Sequence, residues 1–230
     1  MSEAATPMRP RVWPMYRAMV GVGLLCGLLI VGVFTWTRPA IERNRAEALE
    51  RAIFRVLPEA RSSRSFRLAG DAHFLPVAGP AAPASAADGP LFHAGYDEAG
   101  DMVGLALEAR GMGYQDVIHV LYGYSFDLDA IIGLRVLESR ETPGLGDKIE
   151  TDAAFLENFE RLDVALVSDG SALAHPIELV KPGRKEHPWQ VDGITGATIS
   201  SAAIARILGA SSARWLPLVR RNLGDFRVEE

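Results

Sequence analysis

DVIHVLYGYS, residues 116–125, and AIIGLRVLES, residues 130–139, decide the fold. Both runs are rich in β-branched and aromatic residues, and only a short link through Asp127–Asp129 separates them. They read as two strands of a meander. On the N-terminal side, LFHAGYDEAGDMVGLALEA (91–109) adds two more apolar runs around a glycine-containing turn at Asp97–Asp101. On the C-terminal side, TDAAFLENFER (151–161) predicts a short helix with Thr151 or Asp152 as its N-cap. Residues 163–180 read as a further strand-like region. From about Ile199 to Leu223 the chain is helix-rich, with Ile204, Ile207, Leu208, Trp215 and Leu218 as candidate buried positions. The sum is an α+β domain, an antiparallel sheet with packed helices.

The N-terminal part has another character. AMVGVGLLCGLLIVGVFTWT, Ala18 to Thr37, holds no charged residue. Twenty residues at roughly 1.5 Å each span about 30 Å, one hydrocarbon core. Trp13 and Tyr16 on one side and Trp36 on the other suit the two interfacial belts. A cleaved signal peptide is the competing reading, but the run exceeds its usual length of about 7–15 residues and Trp36-Thr37-Arg38-Pro39 is a poor cleavage site. Residues 39–57 predict a separate juxtamembrane helix bounded by Pro39 and Pro58. Ile41, Ala46, Leu49, Ile53 and Val56 form its apolar stripe, and Glu47 and Arg51 make a favourable pair. PVAGPAAPASAADGP (76–90) is a loop. The expected order is a tail at 1–17, a transmembrane helix at 18–37, a helix and Pro/Ala-rich loop at 38–90, the folded domain at 91–223 and a tail at 224–230. Arginines flank both ends of the span, so they leave orientation open; the short first tail favours export of the domain.

Composition excludes several classes of function. Residues 1–37 hold three of the 24 basic and one of the 29 acidic residues, so the remainder carries a net −7. A nucleic-acid binder needs a basic face, and none is visible. One cysteine, Cys26, excludes a disulfide within the chain, and an iron–sulfur cluster or Cys-based zinc site built by this chain alone. The five histidines are scattered and form no sequence-local metal motif.

The sharpest chemical signal is DGITGATIS, residues 192–200. Two hydroxyls, Thr195 and Thr198, flank Gly196-Ala197 at the start of a predicted helix. Small side chains admit another molecule to the backbone, and a helix N-terminus with free amides suits a phosphate. No Gly-Lys-[Ser/Thr] follows, so this is not a Walker A loop. Taken alone, the residues favour an ordinary turn bent by Asp192 and a helix capped by Thr198 or Ser200.

DGITGAT resembles the Asp-x-x-[Ser/Thr]-Gly-Ala-Thr motif of FMN-binding domains in the G subunit of Rnf-type electron transport complexes and in the C subunit of the sodium-translocating NADH:quinone oxidoreductase. ETPGLGDKI (141–149) resembles the family loop near the isoalloxazine and favours the Rnf branch. Gly111-Met112-Gly113-Tyr114 resembles the Gly-x-Gly-Tyr preceding the first central strand. The resemblance covers roughly residues 15–210.

It implies FMN esterified through its phosphate to Thr198 by a flavin transferase that uses FAD. Asp192, Thr195, Gly196 and Ala197 would surround the attachment point, with Asp192 orienting the loop or read by the transferase. In the second loop, Glu141, Thr142, Gly144, Leu145 and Gly146 would line the cofactor. There Gly144 and Gly146 would admit a flat ring, and Leu145 would pack on it. A plain Pro-Gly turn is the alternative. Glu141 stands either as an influence on flavin protonation or as a solvated carboxylate. Tyr114, Tyr122 and Tyr124 flank the flavin or, as strand aromatics, belong to the core; Lys181, Arg184 and Lys185 read as a solvated basic loop.

The implied function is electron transfer within an ion-translocating membrane complex, with the other subunits, membrane lipid and the transferase as partners and no nucleic acid. No nucleophile–base pair is evident, so catalysis would belong to the complex, whose implied redox partners are NADH and ferredoxin. The implied place is the bacterial inner membrane, single-pass, with the domain on the periplasmic side. The competing functions are the C subunit of the quinone-reducing pump, an FMN-domain regulator of respiration, and an anchored scaffold without flavin.

Overall fold

The computed structural model describes residues 12–70, 73–77 and 90–227. The chain divides into two compact units, one ending at Arg45 and one beginning at Ala46.

Helix α1, Val12–Val56, contains Pro39 in its interior. The expected break there, with a separate helix from residue 39, is corrected. A proline removes one i→i−4 bond, here to the carbonyl of Thr35, and a long helix can lose one such bond and continue. In the turn before it the Thr35 hydroxyl donates to Val31 O at 2.8 Å, and the Thr37 hydroxyl donates to Val33 O at 2.8 Å. The apolar part of the first unit is fully exposed and is long and apolar enough to cross a membrane.

Among the described residues the second unit is built on a seven-stranded antiparallel sheet in the order β2-β1-β3-β4-β5-β6-β7. Its strands are β1 Ser62–Ala69, β2 His73–Pro76, β3 Leu91–Tyr96, β4 Met102–Met112, β5 Val117–Ser125, β6 Ala130–Glu138 and β7 Leu162–Asp163. The expected meander is β3 to β6, and its Asp127–Asp129 link places Asp129 at φ 49. Short helices α2 (Lys148–Thr151) and α3 (Ala153–Glu157) follow, and the Asp152 side chain caps α3 by accepting from Phe155 N. The strand-like reading of 163–180 reduces to the end of β7, one bridge between Leu166 and Leu173, and β8, Glu178–Val180. Strand β8 pairs in parallel with β9, Gln190–Asp192. Helix α4, Thr198–Arg221, and a 3-10 turn, Leu223–Phe226, close the chain.

The expected domain limits at 91 and 223 are both too narrow. Strand β1 pairs with β3 from Ser62↔Tyr96 to Arg67↔Leu91, so the sheet begins inside the supposed stalk and loop. At the other end Phe226 is buried, its ring 5.0 Å from Phe66 and 4.7 Å from Phe74, and its carbonyl accepts from Tyr96 OH at 2.6 Å. Most of the remaining expected tail, 227–230, lies outside the described residues.

Both sheet faces are covered, which explains why β5 is buried from Ile118 to Ser125 without alternation. One face carries the large core with Phe92, Leu107, Tyr122 and Tyr124, onto which α4 packs Ile204, Ile207, Leu208, Trp215 and Leu216, with Leu218 half-buried. The other face receives the end of α1, where Leu49, Ile53, Val56 and Leu57 meet Ala106 and Leu121. Of the expected stripe, Ile41 is exposed and Ala46 half-buried. The helix end comes very close to the strands. A Cβ on Gly133 would stand 2.8 Å from Val56 Cα, and one on Gly123 would overlap Val56 O.

On that same face a polar row, buried apart from the half-buried Ser65, crosses four strands. Ser65 Oγ lies 2.9 Å from His93 Nδ1, and Glu108 meets His93 Nε2 at 3.4 Å and His119 Nε2 at 2.9 Å. Burial pushes the Glu108 carboxyl up, but hydrogen bonds and charge from His119 and His93 outweigh it and hold it at about 2. A carboxyl depressed from 4.5 to about 2 contributes stability that is present above pH 4.5 and lost as pH falls toward 2. Glu108→Gln should therefore destabilise the domain by about 1–3 kcal/mol at pH 7. It should also flatten the fall in stability between pH 5 and 3, as read by urea unfolding across that range.

Candidate functional site

Strand β9 delivers Asp192 to the start of the Gly193–Ala197 loop, and α4 begins at Thr198. Ile194 and Ala197 are buried and plug the loop into the core, leaving Thr195, Gly196, Thr198 and Ile199 exposed. Gly196 has φ 86, a left-handed conformation that lets the loop turn into the helix. Among the described residues no side chain caps the first turn of α4, so the alternative of a helix capped by Thr198 or Ser200 is corrected. Its leading amides remain available to an external anion. Ser201, further along the same turn, stabilises the loop from inside: its Oγ accepts from Ile194 N at 3.2 Å and donates to Ala197 O at 2.9 Å.

Asp192 is occupied within the protein. Its Oδ1 accepts from Arg184 N at 3.0 Å and Lys185 N at 3.1 Å. Its main chain is gripped by Asn158, whose Oδ1 accepts from Asp192 N at 3.0 Å and whose Nδ2 donates to Asp192 O at 3.3 Å. The basic loop is thus held by the carboxylate, with Lys185 half-buried and its ammonium 3.4 Å from Asn158 Oδ1. Burial lowers the Lys185 pKa, and Asp192 and Glu157 oppose the shift. Asn158 was not legible as a site residue; its signal, an Asn in an otherwise amphipathic short helix, is too common to single out.

Glu141 is the residue that joins the motifs. It is 6 % exposed, which corrects the solvated-carboxylate reading. Its Oε1 accepts from Tyr114 N at 2.9 Å and Gln115 N at 3.0 Å, and Ser200 donates to its Oε2. One buried carboxylate therefore ties the Gly-x-Gly-Tyr turn between β4 and β5, the 141–146 loop and the first turn of α4. Thr142 adds a bond from its hydroxyl to Gln115 Oε1 at 3.2 Å. Gly144 is open at φ 77 with nothing near its missing Cβ, whereas a Cβ on Gly146 would stand 2.6 Å from Glu141 Oε2 and 2.8 Å from Ser200 Oγ. The expectation that Gly146 leaves room for a ring is corrected, because protein atoms take that space.

Around this junction several apolar side chains are exposed: Met112 is 58 %, Tyr114 63 %, Leu145 51 % and Ile199 57 % exposed. Tyr122 and Tyr124 belong to the core, while Tyr114 does not. Among the described residues no group of three His, Cys, Asp or Glu side chains could hold a metal ion.

Residues 113–211, the stretch that contains all of these contacts except those of the β4 end, match the FMN-binding domain family. The G subunit of the ion-translocating oxidoreductase complex of Methanosarcina acetivorans is 33 % identical over 190 residues, covering 83 % of this chain and 87 % of the relative. The chain belongs to the G-subunit family of ion-translocating oxidoreductase complexes. The corresponding G subunit of Photorhabdus laumondii is 49 % identical over 128 residues, 55 % of this chain and 56 % of that one. The fold is shared with the C subunit of a Na(+)-translocating NADH-quinone reductase from Parabacteroides distasonis, at 18 % identity and a TM-score of 0.57, over 76 % of this chain and 94 % of that structure. The residues of this G-subunit family member fit a phosphorylated flavin: an exposed threonine hydroxyl at an uncapped helix N-terminus for the phosphate, and exposed apolar side chains for a flat ring.

Proposed function

We propose that this chain is the single-pass, membrane-anchored electron-carrying subunit of an Rnf-type ion-translocating oxidoreductase complex, with FMN esterified through its phosphate to Thr198. The observation that carries the reading is the Glu141 junction, which gathers three sequence-distant motifs beside an exposed Thr198. Bound FMN supplies reversible electron acceptance at its ring. Thr198 Oγ forms the bond to phosphorus, and the pyrophosphate bond of FAD breaks in exchange, releasing AMP. The uncapped amides of α4 offset the phosphate charge, with Thr195, Gly196 and Ala197 beside it. Thr142, Gly144 and Leu145 present the second loop, and Asp192 and Asn158 hold the attachment loop in place. A tether keeps the ring at high effective concentration whatever the strength of its other contacts. The flavin transferase, the other subunits of the complex and membrane lipid are the partners. The domain faces the periplasm from the bacterial inner membrane.

Denaturing electrophoresis after co-expression with a flavin transferase tests the attachment. The expected result is a flavin-fluorescent band that Thr198→Ala abolishes and Thr195→Ala retains. A band still bright in Thr198→Ala would place the bond on another residue, and a dark wild-type band would leave the anchored, flavin-free scaffold.

A further inference from the structure

The Glu141 junction also contains a charge that electron carriage as described above leaves unused. Its three partners are two main-chain amides and one hydroxyl, and among the described residues no Lys, Arg or His forms an ion pair with it. The nearby charges on the surface are of a different kind. Arg140 and Asp116 pair at 3.3 Å, but their side chains are 73 % and 41 % exposed, so solvent and salt screen them. Glu141 lacks that screening. It is boxed in as well: a Cβ on Gly113 would overlap its Oε1 and stand 2.7 Å from Ile118 Cδ1, and a Cβ on Gly146 would meet its other oxygen. The carboxylate cannot swing away, and its partner Ser200 lies two residues from Thr198.

We propose that Glu141 is a positioning residue whose fixed charge lowers the reduction potential of the flavin, an inference that rests on FMN being carried by Thr198. The two amides and the hydroxyl hold the carboxylate still without neutralising it. An electron delivered to the ring adds negative charge, and an immobile buried anion opposes that addition more strongly than a screened surface anion does. The flavin is thereby kept a stronger reductant. A carboxylate that merely cross-linked the three segments could be replaced by any group of its shape with no change in potential.

The test is a spectroelectrochemical titration of the flavinylated full-length protein in detergent, with Glu141→Gln and Ser200→Ala beside the wild type. Glutamine keeps the shape and can still accept from Tyr114 N and Gln115 N, but it removes the charge. At a potential where the wild type is half reduced, the reduced-to-oxidised ratio of Glu141→Gln should rise about ten-fold. Ser200→Ala keeps the charge and removes a stabilising donor, so its ratio should fall. Amide exchange at Tyr114 and Gln115 in flavin-free Thr198→Ala provides an independent reading of the junction, and both amides should be protected. A flavinylated Glu141→Gln at the wild-type potential overturns the proposal. Should Glu141→Gln fail to fold or to take up flavin, a wild-type potential in Ser200→Ala overturns it and a fall supports it. A wild-type protein without flavin removes the electron-carrier reading itself, and this inference with it, which is a different outcome from an unchanged potential.

Discussion

Gly123→Ala is expected to cost the domain about 3 kcal/mol or more, the upper end of what overpacking does. The added methyl group would overlap Val56 O, a main-chain atom, and would crowd Leu57 Cδ2 at 3.2 Å. A side chain can rotate away from such a clash, but the end of a packed helix has to move as a whole. Val56 and Leu57 are both buried, so movement would also open the contacts of Ile53 and Leu121. Against a total stability of about 5–15 kcal/mol the loss is large. Urea unfolding should show a much lower midpoint with an unchanged slope. Gly224→Ala is the control, since nothing lies near its missing Cβ, and it should change stability by less than about 0.5 kcal/mol. Equal stability of Gly123→Ala and the wild type would mean that helix and sheet are not in the contact described.

Asn158→Ala should be the second large effect, and it should reach the Gly193–Ala197 loop. The wild-type side chain accepts from Asp192 N, donates to Asp192 O and Phe155 O, and is buried. Alanine leaves both Asp192 main-chain groups without these partners at a position that water reaches poorly. The expected cost is about 2–3 kcal/mol. Because Asp192 opens the loop that ends at Thr198, flavin incorporation should fall as well, measured as the flavin-to-protein ratio of the purified chain. A variant that lost stability but kept the full ratio would confine Asn158 to a role in folding.

Much of the architecture could be read from periodicity. The hairpins β3–β4 and β5–β6 and helix α4 follow from apolar runs and their turns, because those segments bury enough surface to decide their own structure. Strands β1 and β2 escaped notice for the opposite reason. SSRSFRLA and HFLP carry few apolar residues; β1 becomes a strand by pairing with β3, and β2 in turn by pairing with β1. The seat for the end of α1 did leave a signal: Gly123 and Gly133 each interrupt an apolar strand, a pattern that marks close approach of another backbone. At the site, the 192–198 loop stood out because small residues and hydroxyls cluster there. The Glu141 junction was not, since no local pattern brings residues 114, 141 and 200 together. Gly146 was misread for the same reason: its lack of a side chain serves Glu141 and Ser200, which only the fold places beside it.

The order of the seven strands has a further consequence at the margins of the sheet. Among the described residues its outermost members are β2, of four residues, and β7, of two. Unpaired ladders of that length give a neighbouring chain almost nothing to zip onto, and Pro76 removes a donor from one of them. Copies of such a domain can be confined side by side on a surface, at concentrations far above those of free solution, with little hazard of fusing edge to edge into fibrils.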